Sequence, residues 1–390
     1  MYKLASSTWG NEEIEIANKL LISQNLTMGK YVRDFESNFA DYIGTTYAVM
    51  FNSGSSANLA MLAALKYVRN SKLRIGDNII VPAVSWSTTY YPITQNGFLL
   101  NFVDIDSQTL NIDLNLVKQA INPQTKAIFA VNLLGNPANL TGLKELATEL
   151  DILLIEDNCE SLGASVDSQM TGSFGTAGSH SFFFSHHICT MEGGMVTTNS
   201  KEIMETLISL RAHGWTRGLD KNNSVFEKSE NEWEDLFRFV LPGYNLRPIE
   251  LSGAIGIEQL KKFPNFLELR RKNAKIFCDE FIESDSFRIQ SEHGSSSWFG
   301  FSIVLQNKLK GKRKEVTKLL TENNIETRPI VAGNFTKNPV MKHLDYLPLP
   351  SLPSADEVHT EGFFIGNHHF DVSSELSRIS SLLRDFEERF

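Results

Sequence analysis

Cysteine is scarce in this chain of 390 residues: Cys159, Cys189 and Cys278 are the whole set. They are odd in number, widely separated and free of any CxxC spacing, which argues against a disulfide framework and against a zinc site. Long apolar runs are missing as well. The best stretch, Ala127–Leu134, falls well short of the roughly 18 residues that a membrane span needs. The opening segment MYKLASSTWGNEEIEIANKLL lacks the apolar centre of a secretory signal, so a cytoplasmic protein with no membrane partner is the expectation. Positive charge is in deficit too: the net charge is −9, which makes nucleic acid an unpromising partner. There is no internal repeat and no low-complexity tract.

What is present is globular. Apolar residues make up 42% and charged residues 21% of the chain, and the length exceeds one ordinary core of about 100–200 residues. The first two-thirds alternate short β-branched or aromatic runs with segments of helical period. Candidate strands are Tyr47–Phe51, Asn78–Val81, Leu99–Val103, Ala127–Val131, Ile152–Glu156, Ser179–Phe184 and Met195–Thr198. Several are continuously apolar, as strands covered on both faces should be. Candidate helices between them are Tyr31–Tyr42, Ser56–Val68, Leu114–Ile121 behind the N-cap Asp113, and Leu143–Leu150. This pattern predicts an α/β fold with a mostly parallel seven-stranded sheet and helices on both faces. After Gly253 the character changes. A helix over Phe266–Ile282, a strand over Trp298–Val304, a basic stretch Lys308–Lys314 and a helix over Glu315–Asn323 suggest a smaller α+β domain, with residues 1–255 forming the large domain and 256–390 the small one. The polar segment Trp215–Trp233 reads as a surface loop or lid.

Three loops that follow strands carry candidate chemistry, because ligands of open α/β sheets bind beyond the carboxyl ends of the strands. In FNSGSSANLAML, small Gly54, Ser55 and Ser56 open a helix whose first N–H groups can receive an anion, although a serine cap on a core helix explains the same residues. In ILLIEDNCES, Asp157 ends an apolar strand and can pair with a protonated heterocyclic nitrogen, or simply serve a turn. In HSFFFSHHICTMEGGMV, His186 or His187 can move a proton near neutral pH, or the two can form a plain surface pair.

Together with AVSWSTTYYP, NLLGNP, EDNCES, FFSHHICTMEGG, RAHGWTR, FVLPGYNLRP and SGAIGIEQLKK, which extend the match from about Ala5 to Asn367, these loops resemble the DegT/DnrJ/EryC1/StrS sugar aminotransferases. The resemblance implies the aspartate-aminotransferase fold (pyridoxal-phosphate fold type I) and the cofactor pyridoxal 5′-phosphate, working as pyridoxamine 5′-phosphate. It implies that Gly54, Ser55 and Ser181 hold the cofactor phosphate, joined by Asn245 from the neighbouring subunit of a homodimer. Trp86 would stack on the pyridine ring, Asp157 would pair with its nitrogen, and Glu160 would lie near the ring hydroxyl. His213, Arg217 and Arg247 would bind a nucleotide-sugar, and Arg328 the carboxylate of L-glutamate.

One departure decides the activity that is expected. Counting back from Glu-Gly-Gly, the family's covalent lysine falls on His186, and no lysine stands between Lys144 and Lys201. An imidazole can shuttle a proton but cannot tether the cofactor. The branch with this replacement implies a lyase that removes the C3 hydroxyl of GDP-4-keto-6-deoxy-D-mannose for a colitose-type sugar of lipopolysaccharide O-antigen, with His186 as base at the cofactor C4′ carbon, L-glutamate restoring the amine, and ammonia released. Competing readings are an ordinary nucleotide-sugar 4-aminotransferase, which needs the missing lysine, and a non-catalytic binding protein on the same fold. An iron–sulfur dehydratase, with its reductase partner, calls for more thiolates than three scattered cysteines provide.

Overall fold

The computed structural model describes residues 1–281 and 284–390. In chain order the strands are β1 (Tyr47–Phe51), β2 (Asn78–Pro82), β3 (Leu99–Val103), β4 (Thr125–Val131), β5 (Leu153–Asp157), a small hairpin of β6 (Ser165–Val166) and β7 (Gln169–Met170), β8 (Ala177–Ser181) and β9 (Gly194–Thr198). Seven of them form one sheet in the order β1-β9-β8-β5-β4-β2-β3. Strand β9 runs antiparallel to β1 and to β8, and the other neighbours are parallel. Alternate residues serve opposite faces. Ile79, Val81 and Phe129 join the apolar cluster on one side with Ala57, Met61 and Leu207, while Ile80, Ile128 and Ala130 join the cluster on the other side with Leu143 and Val117. That two-sided burial explains the unbroken apolar runs in the sequence. Each fully buried Phe or Ile is worth about 2–3 kcal/mol of transfer free energy, an upper figure before conformational entropy is charged.

A second sheet, β10 (Phe287–Ile289), β11 (Gly300–Leu305) and β12 (Gly362–Gly366), is antiparallel throughout. It packs with the helices Arg313–Glu322 and Ser373–Glu387 around Phe277, Phe301, Ile303, Leu320 and Leu383, and Tyr2 from the N-terminus enters the same cluster.

Where the sequence misplaces an element, a local interaction explains it. The helix expected from Phe266 begins at Glu250 and runs to Phe281, 32 residues with Pro264 inside; Ile282, its expected end, lies outside the described residues. Gly253, after which the sequence changes character, and Gly256 are contact points within this long helix. A methyl group on Gly253 would stand 2.7 Å from the Val32 nitrogen, and one on Gly256 would stand 2.6 Å from the Phe35 ring, so these glycines let the helix Lys30–Ile43 approach closely. The strand expected over Ser179–Phe184 is β8, Ala177–Ser181, and the strand expected over Ile152–Glu156 is shifted to end on Asp157. The helix expected from Ser56 starts at Gly54, because Ser53 is the cap and accepts from the Ser56 N–H at 3.1 Å. Asp113 caps Leu114–Ala120 as expected, accepting from Asn115 and Leu116. Segment 215–231 contains no helix or strand, yet Thr216 and Leu219 are buried. Among the described residues no helix is long and apolar enough to cross a membrane.

Candidate active site

The carboxyl ends of β1, β2, β4, β5 and β8 open onto one cavity of about 630 Å³. Because β9 is antiparallel, its first residue rather than its last stands at this end: Gly194 pairs with Phe51 on one side and with Ser181 on the other. The turn after β1 sits directly on that residue. A methyl group on Gly194 would lie 2.2 Å from the Ser53 carbonyl oxygen, and one on Gly54 would lie 2.6 Å from Cβ of Ser181. The Glu-Gly-Gly signature is therefore partly steric, since only glycine lets the Ser53–Gly54 turn settle over the start of β9. Gly54 and Ser55 occupy the first turn of the helix Gly54–Tyr67, and among the described residues their N–H groups meet no acceptor. With the Ser55 and Ser181 hydroxyls lining the same corner, this is an anion seat of helix-terminus type. Ser56, in contrast, is occupied by Ser53 and does not line the cavity.

Asp157, at the end of β5, is buried. One carboxylate oxygen accepts from Asn58 Nδ2 at 2.9 Å and Thr89 Oγ1 at 2.7 Å, and the other accepts from the Cys159 N–H at 3.2 Å. Every one of these donors is neutral, and among the described residues Asp157 has no ion-pair partner. A buried carboxylate fixed by neutral donors and facing a cavity fits a cationic ring nitrogen of a bound ligand. Trp86 stands at the cavity wall, 59% exposed, just before the helix Ser87–Gln95. Glu160 accepts from the Leu134 N–H at 2.9 Å. Burial pushes its carboxyl up to about 7, against the pull of that N–H and with the help of the neighbouring Asp157 charge.

The two histidines part company because residues 183–189 form a turn, with the His186 N–H donating to the Phe183 carbonyl at 2.9 Å. His187 is buried, and its Nε2 lies 3.1 Å from the Ser297 carbonyl. His186 lines the cavity. Its Nδ1 is buried without a partner, which leaves Nε2 as the accessible nitrogen. Burial drives the imidazole down to about 4; the Phe183 carbonyl opposes this and the Arg270 charge adds to it, so the ring is a neutral base at neutral pH. Arg328 also lines the cavity, and its guanidinium donates to its neighbour's carbonyl, Thr327 O, at 3.0 Å. Among the described residues no lysine lines the cavity. Lys144, on the helix Leu140–Glu149, lies over the Phe174 ring instead.

Gly54, Ser55, Trp86, Asp157, Glu160, Ser181, His186 and Arg328 thus share one cavity. His213, Arg217, Asn245 and Arg247 do not line it. They lie together on another surface, where Asn245 bridges Ala212 and accepts from Arg247 Nε at 3.1 Å. Sequence reasoning missed Asn58, Thr89, Glu192 and Phe299. Asn58 offered a signal: it is a lone amide inside the apolar run of a buried helix, one turn after Gly54.

An anion seat, an unpaired carboxylate and a neutral imidazole at the carboxyl edge of this sheet define a pyridoxal-phosphate enzyme of fold type I. The profile of the DegT/DnrJ/EryC1/StrS aminotransferase family matches residues 7–382, and the chain belongs to that family. It is 49% identical over 385 residues to GDP-4-keto-6-deoxy-D-mannose 3-dehydratase of Yersinia pseudotuberculosis, covering 98% of both chains. Two crystal structures of a GDP-4-keto-6-deoxymannose-3-dehydratase superpose with TM-scores of 0.96 at 48% identity, each covering 98% of this chain and 100% of the other. One is a histidine-to-asparagine variant with bound GDP-perosamine, and the other holds a trapped PLP-glutamate geminal diamine.

Proposed function

We propose that this chain is a coenzyme-B6-dependent dehydratase that removes the C3 hydroxyl of GDP-4-keto-6-deoxy-D-mannose to give GDP-4-keto-3,6-dideoxy-D-mannose. The observation that carries the reading is a neutral, cavity-facing imidazole, His186, in a pocket of this family that no lysine reaches. Gly54 and Ser55 N–H groups with Ser181 would hold the coenzyme phosphate, Trp86 would cover its ring, Asp157 would keep the ring nitrogen protonated, and Glu160 would face the ring hydroxyl. When bound, the coenzyme supplies an amine that condenses with the sugar ketone and a ring that draws off electrons.

The protein's own contribution is proton management. His186 Nε2 takes a proton at the reacting centre and, as imidazolium, returns it to the departing C3 oxygen. With no lysine to complete amine transfer, elimination is the productive outcome; the amine nitrogen leaves as ammonia, and L-glutamate, its carboxylate met by Arg328, restores the working form. His213, Arg217 and Arg247 would receive the nucleotide, and Asn245 would reach the phosphate of a partner subunit, which makes the working unit a cytoplasmic homodimer with shared sites. In this reading residues 1–255 form the coenzyme domain and 256–390 the small domain; the apolar cluster of the second sheet supports the latter, while Tyr2 joins that cluster and Phe335 and Met341 pack with the first sheet.

The test is to incubate the protein with pyridoxal phosphate, L-glutamate and GDP-4-keto-6-deoxymannose. The expected product has lost one oxygen, with ammonia formed in equal amount; an amino sugar would establish a 4-aminotransferase instead. His186→Lys should create a linkage that borohydride traps, which the unaltered protein lacks.

A further inference from the structure

The imidazole of His186 is packed by two aromatic rings. Phe183 meets it edge-on at 6.2 Å between centroids, and Phe299 meets it tilted at 5.4 Å while also touching His187 at 5.8 Å. Phe183 belongs to the same turn as the histidine, but Phe299 comes from another part of the chain, and its backbone is held with unusual care. Trp298 has φ +49°, Leu134 has φ +52° and Gly135 has φ +91°. Such angles in Trp and Leu survive only when surrounding contacts enforce them. Those contacts are present. The Ser297 N–H donates to Gly135 O and the Phe299 N–H to Leu134 O, both at 2.9 Å. The Trp298 carbonyl accepts from Asn367 Nδ2 at 2.9 Å, and buried Arg270 reaches both the Trp298 and the Phe299 carbonyls at 3.3 Å. Gly135 cannot be replaced without a clash, since a methyl group there would stand 2.6 Å from the Trp298 nitrogen.

We infer that Phe299 is a positioning residue for His186: the clamp of residues 134–135 against 297–299 presses its ring on the imidazole, fixing the tilt of the base and excluding water from that side. The strain in the clamp serves this placement. Leu134 connects to the cavity by a second route, because its N–H donates to Glu160. Charged and titratable groups near His186 are Arg270 from the long helix, His187 beside it, and Asp157, Cys159, Glu160, Glu192 and Arg328 around the cavity. Phe299→Leu leaves all of them in place and removes only the ring, so a change in the titration of His186 reports desolvation by Phe299 rather than altered charge. Phe299 is only half-buried and leucine preserves an apolar side chain there, so the variant should fold.

The inference rests on His186 being the base, and the experiment separates the two ideas. The holoenzyme is labelled with 15N-histidine, and the His186 ring signals are assigned by their loss in His186→Asn. The expected midpoint in the unaltered protein is near 4. In Phe299→Leu it should rise by at least about one pH unit toward the usual histidine range, and the acidic limb of kcat should move with it. Phe299→Tyr retains the ring and should keep the original midpoint. An unchanged His186 midpoint in Phe299→Leu overturns the positioning role. A midpoint that moves while the acidic limb of kcat stays still upholds the packing of Phe299 and overturns His186 as the base.

Discussion

The cavity floor and the surface ribbon around Trp215 are built on opposite plans. On the floor, Gly54, Ser181 and Gly194 interlock at distances that leave no room for a methyl group, and Asp157 is tied down by three neutral donors. The ribbon pairs residues 212–216 with 238–245, through bridges Ala212 to Asn245 and Trp215 to Phe239, and turns its functional candidates outward. Trp215 stacks with Phe237 and with Phe239 and has the Arg217 guanidinium over its ring, and Phe237 and Phe239 are well exposed. A single chain therefore gathers Gly54, Asp157, Ser181 and His186 on its floor and carries Asn245 and the arginines on a separate, exposed surface. In the homodimer proposed above, the ribbon of one chain would complete the floor of the other.

The sharpest break between the two regions comes from the floor. His186→Asn removes the only imidazole that lines the cavity among the described residues and should lower kcat for dehydration by roughly 10²–10⁴-fold, with the coenzyme absorption band still present on titration with pyridoxal phosphate. Retention of full activity in that variant would remove the proposed base. Asp157→Asn is next. It keeps the shape of the residue but discards the charge, so coenzyme affinity measured by absorbance should weaken by about 10–100-fold, the value of a charge-assisted hydrogen bond.

The ribbon yields a smaller signal of a different kind. His186→Asn and Asn245→Ala are each expected to be impaired as pure homodimers. If Asn245 serves the partner's floor, dissociating and reassociating the two variants together creates mixed dimers with one intact site, and activity should return to roughly a quarter of the unaltered level. No recovery in a mixture shown by native mass spectrometry to contain mixed dimers would confine both residues to the same site.

The sequence disclosed the floor more completely than the walls, for physical reasons. Strands buried on both faces leave continuous apolar runs, and the residues after such a run fall at the sheet edge where ligands bind; Gly54 and Asp157 could be placed this way, whereas Ser181, inside the strand expected over Ser179–Phe184, came only from the resemblance. The long helix was half lost because Gly253, Gly256 and Pro264 resemble breakers, and only the packing against Val32 and Phe35 reveals why two of them are tolerated. Phe299 and Thr89 reach the cavity through tertiary contacts that no local spacing encodes. Separating His186 from His187 depended on the count from Glu-Gly-Gly. Alternation along an extended strand does not separate them, because the pair sits in a turn, and it is the bond of His187 to Ser297 that draws the second ring inward.

The smallest expected effect is on stability, and it tests whether the imidazoles are as dry as the packing implies. Burial drives His180 down to about 3, and His186, His368 and His369 down to about 4, each from an ordinary value of 6.5. Between those limits the unfolded chain binds more protons than the native one, so native stability should fall as pH drops from about 6.5 toward 4. Glu160 works in the opposite sense. Raised to about 7 from 4.5, it takes up a proton in the native state first, and its contribution grows as pH falls from 7 to 4.5. Burial also lowers His187 and His359 and raises the carboxyl of Glu156, so the lowered histidines outnumber the two raised carboxyls, and the urea midpoint should decline on acidification below pH 6.5. Glu160→Gln, which carries a permanently neutral group in the same place, should steepen that decline by removing the opposing proton uptake. A urea midpoint that rises on acidification would mean that these imidazoles are hydrated in the native protein, and would weaken the floor's claim to hold His186 as a neutral base.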